Sequence, residues 1–124
     1  MKRTAQCSCG QLRVIATSEP TSVSLCHCKA CKRRTGSSFG VAVFFDHADV
    51  QLTGASSVYE RQGESGHRIR FHFCPHCGST VYWYPQVKPK HIAVALGCID
   101  DQTGLKPSKE AHIEQRQAWL DPIR

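Results

Sequence analysis

Apolar and polar residues alternate along this chain in short runs with a period near two, the pattern of strands rather than helices. Residues 11–17 form the first such run, leaving a Cys-Ser-Cys-Gly turn and ending at Pro20. Val23, Ser24 and Leu25 predict a short strand that delivers Cys26. The rhythm breaks at Lys29–Arg34, whose helix-compatible residues before Thr35-Gly36 predict one or two helical turns closed by glycine. Residues 40–45 are continuously apolar and β-branched or aromatic, as in a buried strand, and 46–49 read as a turn. Val50 and Leu52, then 57–62, predict two further strands separated by Gly54. After a polar turn at 63–66, residues 67–73 put Ile69, Phe71 and Phe73 on one face and Arg68, Arg70 and His72 on the other. Strands at 79–84 and 91–99 follow, the latter closed by the turn 97–101. The segment 111–119 suits either a strand or a helical turn. No linker, repeat or low-complexity tract interrupts the chain, so the expectation is one mainly β domain over residues 1–124, built of short antiparallel strands.

Composition adds chemistry to this outline. Eight of the 124 residues are cysteine, and they are clustered. Cys26, Cys28 and Cys31 are three thiols within six residues, and Cys28 and Cys31 are spaced to share one side of a helical turn. Cys7 and Cys9 near the start, with Cys74 and Cys77 beyond the middle, make a further set of four. Zinc takes four ligands in a tetrahedron, so the second group completes a site and the first leaves one corner open. A disulfide framework fits poorly, since such close pairs close loops too short to restrict the unfolded chain much. No apolar stretch follows Met1-Lys2-Arg3, and the expectation is a cytoplasmic protein with reduced thiols. No segment is long and apolar enough to predict a membrane span.

The formal charge of +6 suggests nucleic acid, but two dications bound by seven thiolates would remove three of those charges. The basic residues are also scattered, apart from Lys29, Lys32, Arg33 and Arg34 beside the central cluster, so no nucleic-acid partner is expected.

The ordered set Cys-Ser-Cys-Gly, Cys-His-Cys-Lys-Ala-Cys-Lys-Arg-Arg-Thr-Gly-Ser, Phe-Cys-Pro-His-Cys-Gly-Ser and Leu-Gly-Cys-Ile-Asp-Asp resembles the glutathione-dependent formaldehyde-activating enzyme family between about Cys7 and Trp119. The resemblance implies an Mss4-like, zinc-stapled fold with two zinc ions per chain. It further implies that Cys7, Cys9, Cys74 and Cys77 hold a structural zinc, and that Cys26, Cys28 and Cys31 hold the zinc of the reactive site. The implied activity is that of a carbon–sulfur lyase acting on adducts of glutathione or a similar thiol with formaldehyde or another small electrophile. The expected partners are then a small-molecule thiol and an aldehyde. The other reading is a non-catalytic, zinc-stapled binding or chaperone-like module.

Several residues carry two readings. Lys32, Arg33 and Arg34 either attract glutathione carboxylates or form a solvated helix face. Cys98 stands where the family commonly has a small hydroxyl residue; it either packs as an inert thiol or supplies a fourth ligand that closes the central site. His27 and His76 lie inside the metal loops, where a residue between ligands is often turned away. His27, His47 and His91 are candidate general bases without a visible partner. Phe44, Phe45, Tyr82, Trp83 and Tyr84 are expected in the core, and Asp100 and Asp101 in a turn.

Overall fold

The computed structural model describes residues 2–63, 66–85 and 88–123. In chain order it contains β1 (Arg3–Gln6), β2 (Arg13–Ala16), β3 (Ser22–Cys26), α1 (Lys29–Thr35), β4 (Gly40–Asp46), β5 (Val50–Thr53), β6 (Ser57–Gln62), β7 (Arg68–Phe73), β8 (Thr80–Pro85), β9 (His91–Ala95) and β10 (Lys109–Ala111). Short 3₁₀ turns occupy His47–Asp49, Leu96–Cys98 and Ile113–Gln115. The protein is mainly β, as its alternating pattern predicts. α1 ends on Gly36 in the left-handed conformation (φ 66°), the position expected of the glycine cap. Glu64 and Ser65, in the middle of the expected turn 63–66, lie outside the described residues.

The strands form two sheets. One has the order β1-β2-β5, the other β10-β3-β4-β9-β8-β7-β6. All pairings between these strands are antiparallel except β10 with β3, which is parallel and departs from the antiparallel expectation. Residues directly opposite one another share a face of a sheet. Val23, Val43, Val94 and Tyr82 therefore form one row across the larger sheet, facing Ala5, Val14 and Ala16 of the smaller one in the main core. The opposite face carries Phe44, Ala93, Trp83, Phe71 and Tyr59 in a second row. There Phe71, Trp83 and Ala93 make a separate, smaller apolar cluster.

Three elements depart from the pattern. β1 was not legible because Arg-Thr-Ala-Gln has no apolar alternation; its Arg3 is nonetheless 5 % exposed. The Arg3 guanidinium donates to Glu19 Oε1 (2.9 Å) and to the carbonyls of Asp101 (2.7 Å) and Thr103 (2.9 Å), which answers its buried charge. The strand expected over 91–99 stops at Ala95, and its last residues coil into the 3₁₀ turn. The ambiguous 111–119 segment begins on Ala111, the last residue of β10, and holds the turn Ile113–Gln115.

Gly54 closes the turn after β5 with φ 98°, and a Cβ there would lie 2.0 Å from the Gln11 carbonyl oxygen. Neither backbone can yield without breaking the β2–β5 ladder. Gly54→Ala is expected to lower the unfolding free energy by more than about 2 kcal/mol, read from urea midpoints. An unchanged midpoint would mean that this approach is not required.

Candidate metal centres

Two turns of similar build bring four sulfurs together between the sheets. The first joins β1 to β2, with Gly10 N donating to Cys7 O (3.0 Å); the second joins β7 to β8, with Gly78 N donating to Cys74 O (2.8 Å). Ser8 and Ser79 hydroxyls meet at 2.9 Å and hold the turns against each other. Backbone N–H groups point at sulfur, as thiolates require: Leu12 N donates to Cys7 Sγ (3.2 Å) and His76 N to Cys74 Sγ (3.4 Å). Cys9 Sγ lies 3.6 Å from both Cys7 Sγ and Cys74 Sγ, and all four sulfurs are within 4.8 Å of one another. A zinc–sulfur bond of about 2.3 Å gives a tetrahedral edge of roughly 3.8 Å, so this donor set fits a tetrahedral metal. It does not fit disulfides, and none of the eight cysteines is bridged.

Cys26, Cys28 and Cys31 form the second group, also with all sulfurs within 4.8 Å. Cys26 ends β3, Cys28 is the N-cap of α1, and Cys28 Sγ accepts from Cys31 N (3.4 Å). In extended backbone successive residues project to opposite sides, which sends Cys26 and Cys28 one way and His27 the other. His27 is 2 % exposed and its Nε2 lies 2.6 Å from Glu110 Oε2 on β10, so it ties β10 to β3 and takes no place in the group. Within the trio the Cys31 thiol is pulled down to about 5, first by a hydrogen bond from Cys26, and with further help from the Arg34 and Arg61 charges. Burial acts in the opposite direction. Three sulfurs fit three corners of a tetrahedron and leave the fourth to another donor.

Cys98 joins neither group. The 3₁₀ turn that replaces the end of the expected strand directs its Sγ to the Thr80 carbonyl (3.6 Å), and burial pushes its pKa up. The structure therefore does not bring it to the central trio as a fourth ligand. It lines a cavity of about 440 Å³ together with Arg34, Thr35, Gly40 and Ser79.

The basic run after Cys31 divides three ways. Lys32 Nζ donates to the Gln115 carbonyl (2.6 Å). Arg33 is exposed on the rim of a second cavity. Arg34 folds back, its guanidinium 4.3 Å from the Trp83 ring centre and 5.9 Å from that of Phe71. Arg61 of β6 approaches the same Phe71 ring, at 5.0 Å. Arg61 and Glu110 escaped the sequence reading. The alternation of 57–62 groups Tyr59 with Arg61, but nothing local says which face α1 covers.

The remaining candidates serve the framework. His76 is exposed, and His72 Nδ1 meets Ser56 Oγ (2.8 Å) while the ring stacks on Tyr82 at 4.5 Å. His47 Nε2 lies 3.4 Å from the Tyr84 hydroxyl, and His91 opposes Asp46 across β9 and β4. Asp100 accepts from Thr4 and Gln6, and Asp101 from Thr103 N, which holds the expected turn. Phe45 and Tyr82 are in the main core, Phe44 and Tyr84 are half-buried, and Trp83 is buried beneath Arg34.

Two sheets braced by a four-sulfur group, with a three-sulfur group beside a cavity, define a mainly β protein built around two thiol-rich candidate metal centres. The family model for glutathione-dependent formaldehyde-activating enzymes matches residues 2–115, and the chain belongs to that family. The fold is similar to that of a Rhodobacter sphaeroides protein solved by crystallography, at 18 % identity and a TM-score of 0.62, over 87 % of this chain and 98 % of that one. No curated protein matches the chain significantly. Among the described residues no helix is long and apolar enough to cross a membrane.

Proposed function

We propose that this chain is a zinc-dependent enzyme of carbon–sulfur bond chemistry, joining glutathione or a related thiol to formaldehyde or another small aldehyde, or catalysing the reverse. The observation that carries this reading is a trio of sulfurs without a fourth cysteine, set beside a cavity in a member of this family. Cys7, Cys9, Cys74 and Cys77 are assigned a structural zinc, and Cys26, Cys28 and Cys31 the zinc of the reactive site. Zinc at the trio would hold an incoming thiol as its thiolate, the form in which sulfur is nucleophilic.

The protein's own residues do the rest. β3 and the first turn of α1 hold the trio's sulfurs at fixed spacing, which limits the reorganisation needed when a ligand enters. Arg34 and Arg61 supply positive charge against the thiolates. The sulfur–carbon bond forms as the π bond of the aldehyde carbonyl breaks, and the carbonyl oxygen takes up one proton in balance with the one that the thiol gives up. Unbridged cysteines suit a reducing cytoplasm, which we include in the proposal. A non-catalytic binding module has less support, because purely structural zinc centres are closed by four protein ligands.

The test is metal analysis followed by calorimetric titration with glutathione and NMR detection of the hydroxymethyl adduct. About two zinc ions per chain, glutathione binding lost on chelation, and adduct formation faster than in buffer are expected. Two tightly held zinc ions with neither binding nor acceleration would favour the module.

A further inference from the structure

The α1 side of the larger sheet holds a cavity of about 390 Å³ lined by Arg33, Arg34, Tyr59, Arg61, Phe71 and Thr80, beside the three-sulfur group. That volume lies within the range of small-ligand sites. Its two inner guanidiniums differ from those of Arg3, Arg68 and Arg70 in what they meet. Arg3 has Glu19, and Arg68 and Arg70 both reach Glu60. Arg34 and Arg61 have no carboxylate partner among the described residues. Arg61 spends one contact on the neighbouring Gln62 carbonyl (3.4 Å), while Arg34 Nε is buried with no hydrogen-bond acceptor. The strand alternation explains the separation: Glu60 points to the opposite face of β6 from Arg61, so the acid nearest in sequence is out of reach.

The surrounding chain keeps room for this arrangement. Gly40 opens β4 directly beneath α1, and a Cβ there would lie 2.6 Å from Arg34 Nη2 and 3.3 Å from Cys31 Cβ. The bare glycine lets the guanidinium lie between helix and sheet, over Trp83. Aromatic faces hold both side chains in place while leaving the planar N–H edges free to donate. Arg34 also faces the Cys31 thiol, but neither guanidinium has a carboxylate and Arg34 keeps an unanswered N–H, so the pair is open to an anion from outside, and a guanidinium fork matches a carboxylate in shape.

We propose that Arg34 and Arg61, spread over the Phe71–Trp83 pair beside the three-sulfur group, form the subsite that takes a carboxylate of the incoming thiol and so select which thiols the site accepts. The proposal rests on the thiol reading given above and adds the specificity determinant. A simpler role for the same pair, neutralising the thiolates of the trio, gives a different result: every thiol would lose equally when a guanidinium is removed.

The experiment compares glutathione, S-methylglutathione and 2-mercaptoethanol on the zinc-loaded wild type and Arg61→Gln, by calorimetry, with zinc content as the control for folding. S-methylglutathione keeps both carboxylates and has no free thiol; 2-mercaptoethanol has a thiol and no carboxylate. Arg61→Gln is expected to reduce the preference for glutathione over 2-mercaptoethanol about tenfold and to weaken S-methylglutathione by a similar factor. Arg61→Lys, which keeps charge but loses the fork, should recover only part of this. Gly40→Ala, which displaces the Arg34 fork without removing it, should show the same selective loss. An unchanged preference in Arg61→Gln, with glutathione still bound, overturns the subsite and leaves the thiol reading standing. Glutathione binding no tighter than S-methylglutathione, with both dependent on Arg61, leaves the subsite and removes the thiol reading. Absence of binding by all three ligands to the wild type overturns both.

Discussion

Cys74→Ala is expected to unfold the protein at ambient temperature, with zinc content falling from about two ions per chain to one or none. Cys74 is fully buried, accepts N–H bonds from His76 and Cys77, and sits 3.6 Å from Cys9 Sγ on the other turn. Its group ties the β1–β2 turn of the small sheet to the β7–β8 turn of the large one. Structural zinc contributes about 10–16 kcal/mol to folding in zinc-finger peptides, as much as the whole stability of a typical domain at about 5–15 kcal/mol. Even a fraction of that, lost together with a buried side chain of the main core, exceeds what the remaining packing supplies. Circular dichroism against temperature reads the outcome. A variant that melts cooperatively near the wild-type temperature would show that the four sulfurs do not hold the sheets together.

Cys28→Ser should have the contrary profile: a folded protein with about one zinc ion per chain and glutathione affinity reduced at least tenfold. Serine is a favoured N-cap, so it can accept from Cys31 N where Cys28 Sγ does now, and α1 should persist. The main core lies on the opposite face of the larger sheet and contains none of the trio. Apart from the binding free energy of the lost metal, the expected stability loss is therefore no more than about 2 kcal/mol, the upper end of a cap substitution. Removing one of three sulfurs, however, leaves too few soft donors to hold zinc against competing thiols. Glutathione affinity equal to wild type in a folded Cys28→Ser protein would take the trio out of the mechanism. Collapse of that variant at the same temperature as Cys74→Ala would contradict the division into a bracing centre and a reactive one.

The difference between these two variants reflects where each group sits. One lies between sheets, where its loss separates two layers; the other lies at the end of β3 and the start of a seven-residue helix, where its loss leaves the two sheets joined. The four-plus-three grouping was readable from spacing because close cysteine pairs are local features of the chain. Joining Cys7 and Cys9 to Cys74 and Cys77 across more than sixty residues needed only the count to four, since neither pair completes a tetrahedron alone.

Periodicity and glycine placement determined most strands, the short helix and the two sulfur groups, because these depend on residues a few positions apart. Tertiary structure alone decided which side of each strand is covered, and so that Arg61 shares the Phe71 ring with Arg34. It also decided that His27 turns to Glu110 and that Cys98 points at Thr80 rather than at the trio. β10 joined β3 in parallel for the same reason: strand partners are chosen by packing across the whole sheet. Arg-Thr-Ala-Gln became a strand because Arg3 found distant partners in Glu19, Asp101 and Thr103 for a charge that local pattern would have left in water.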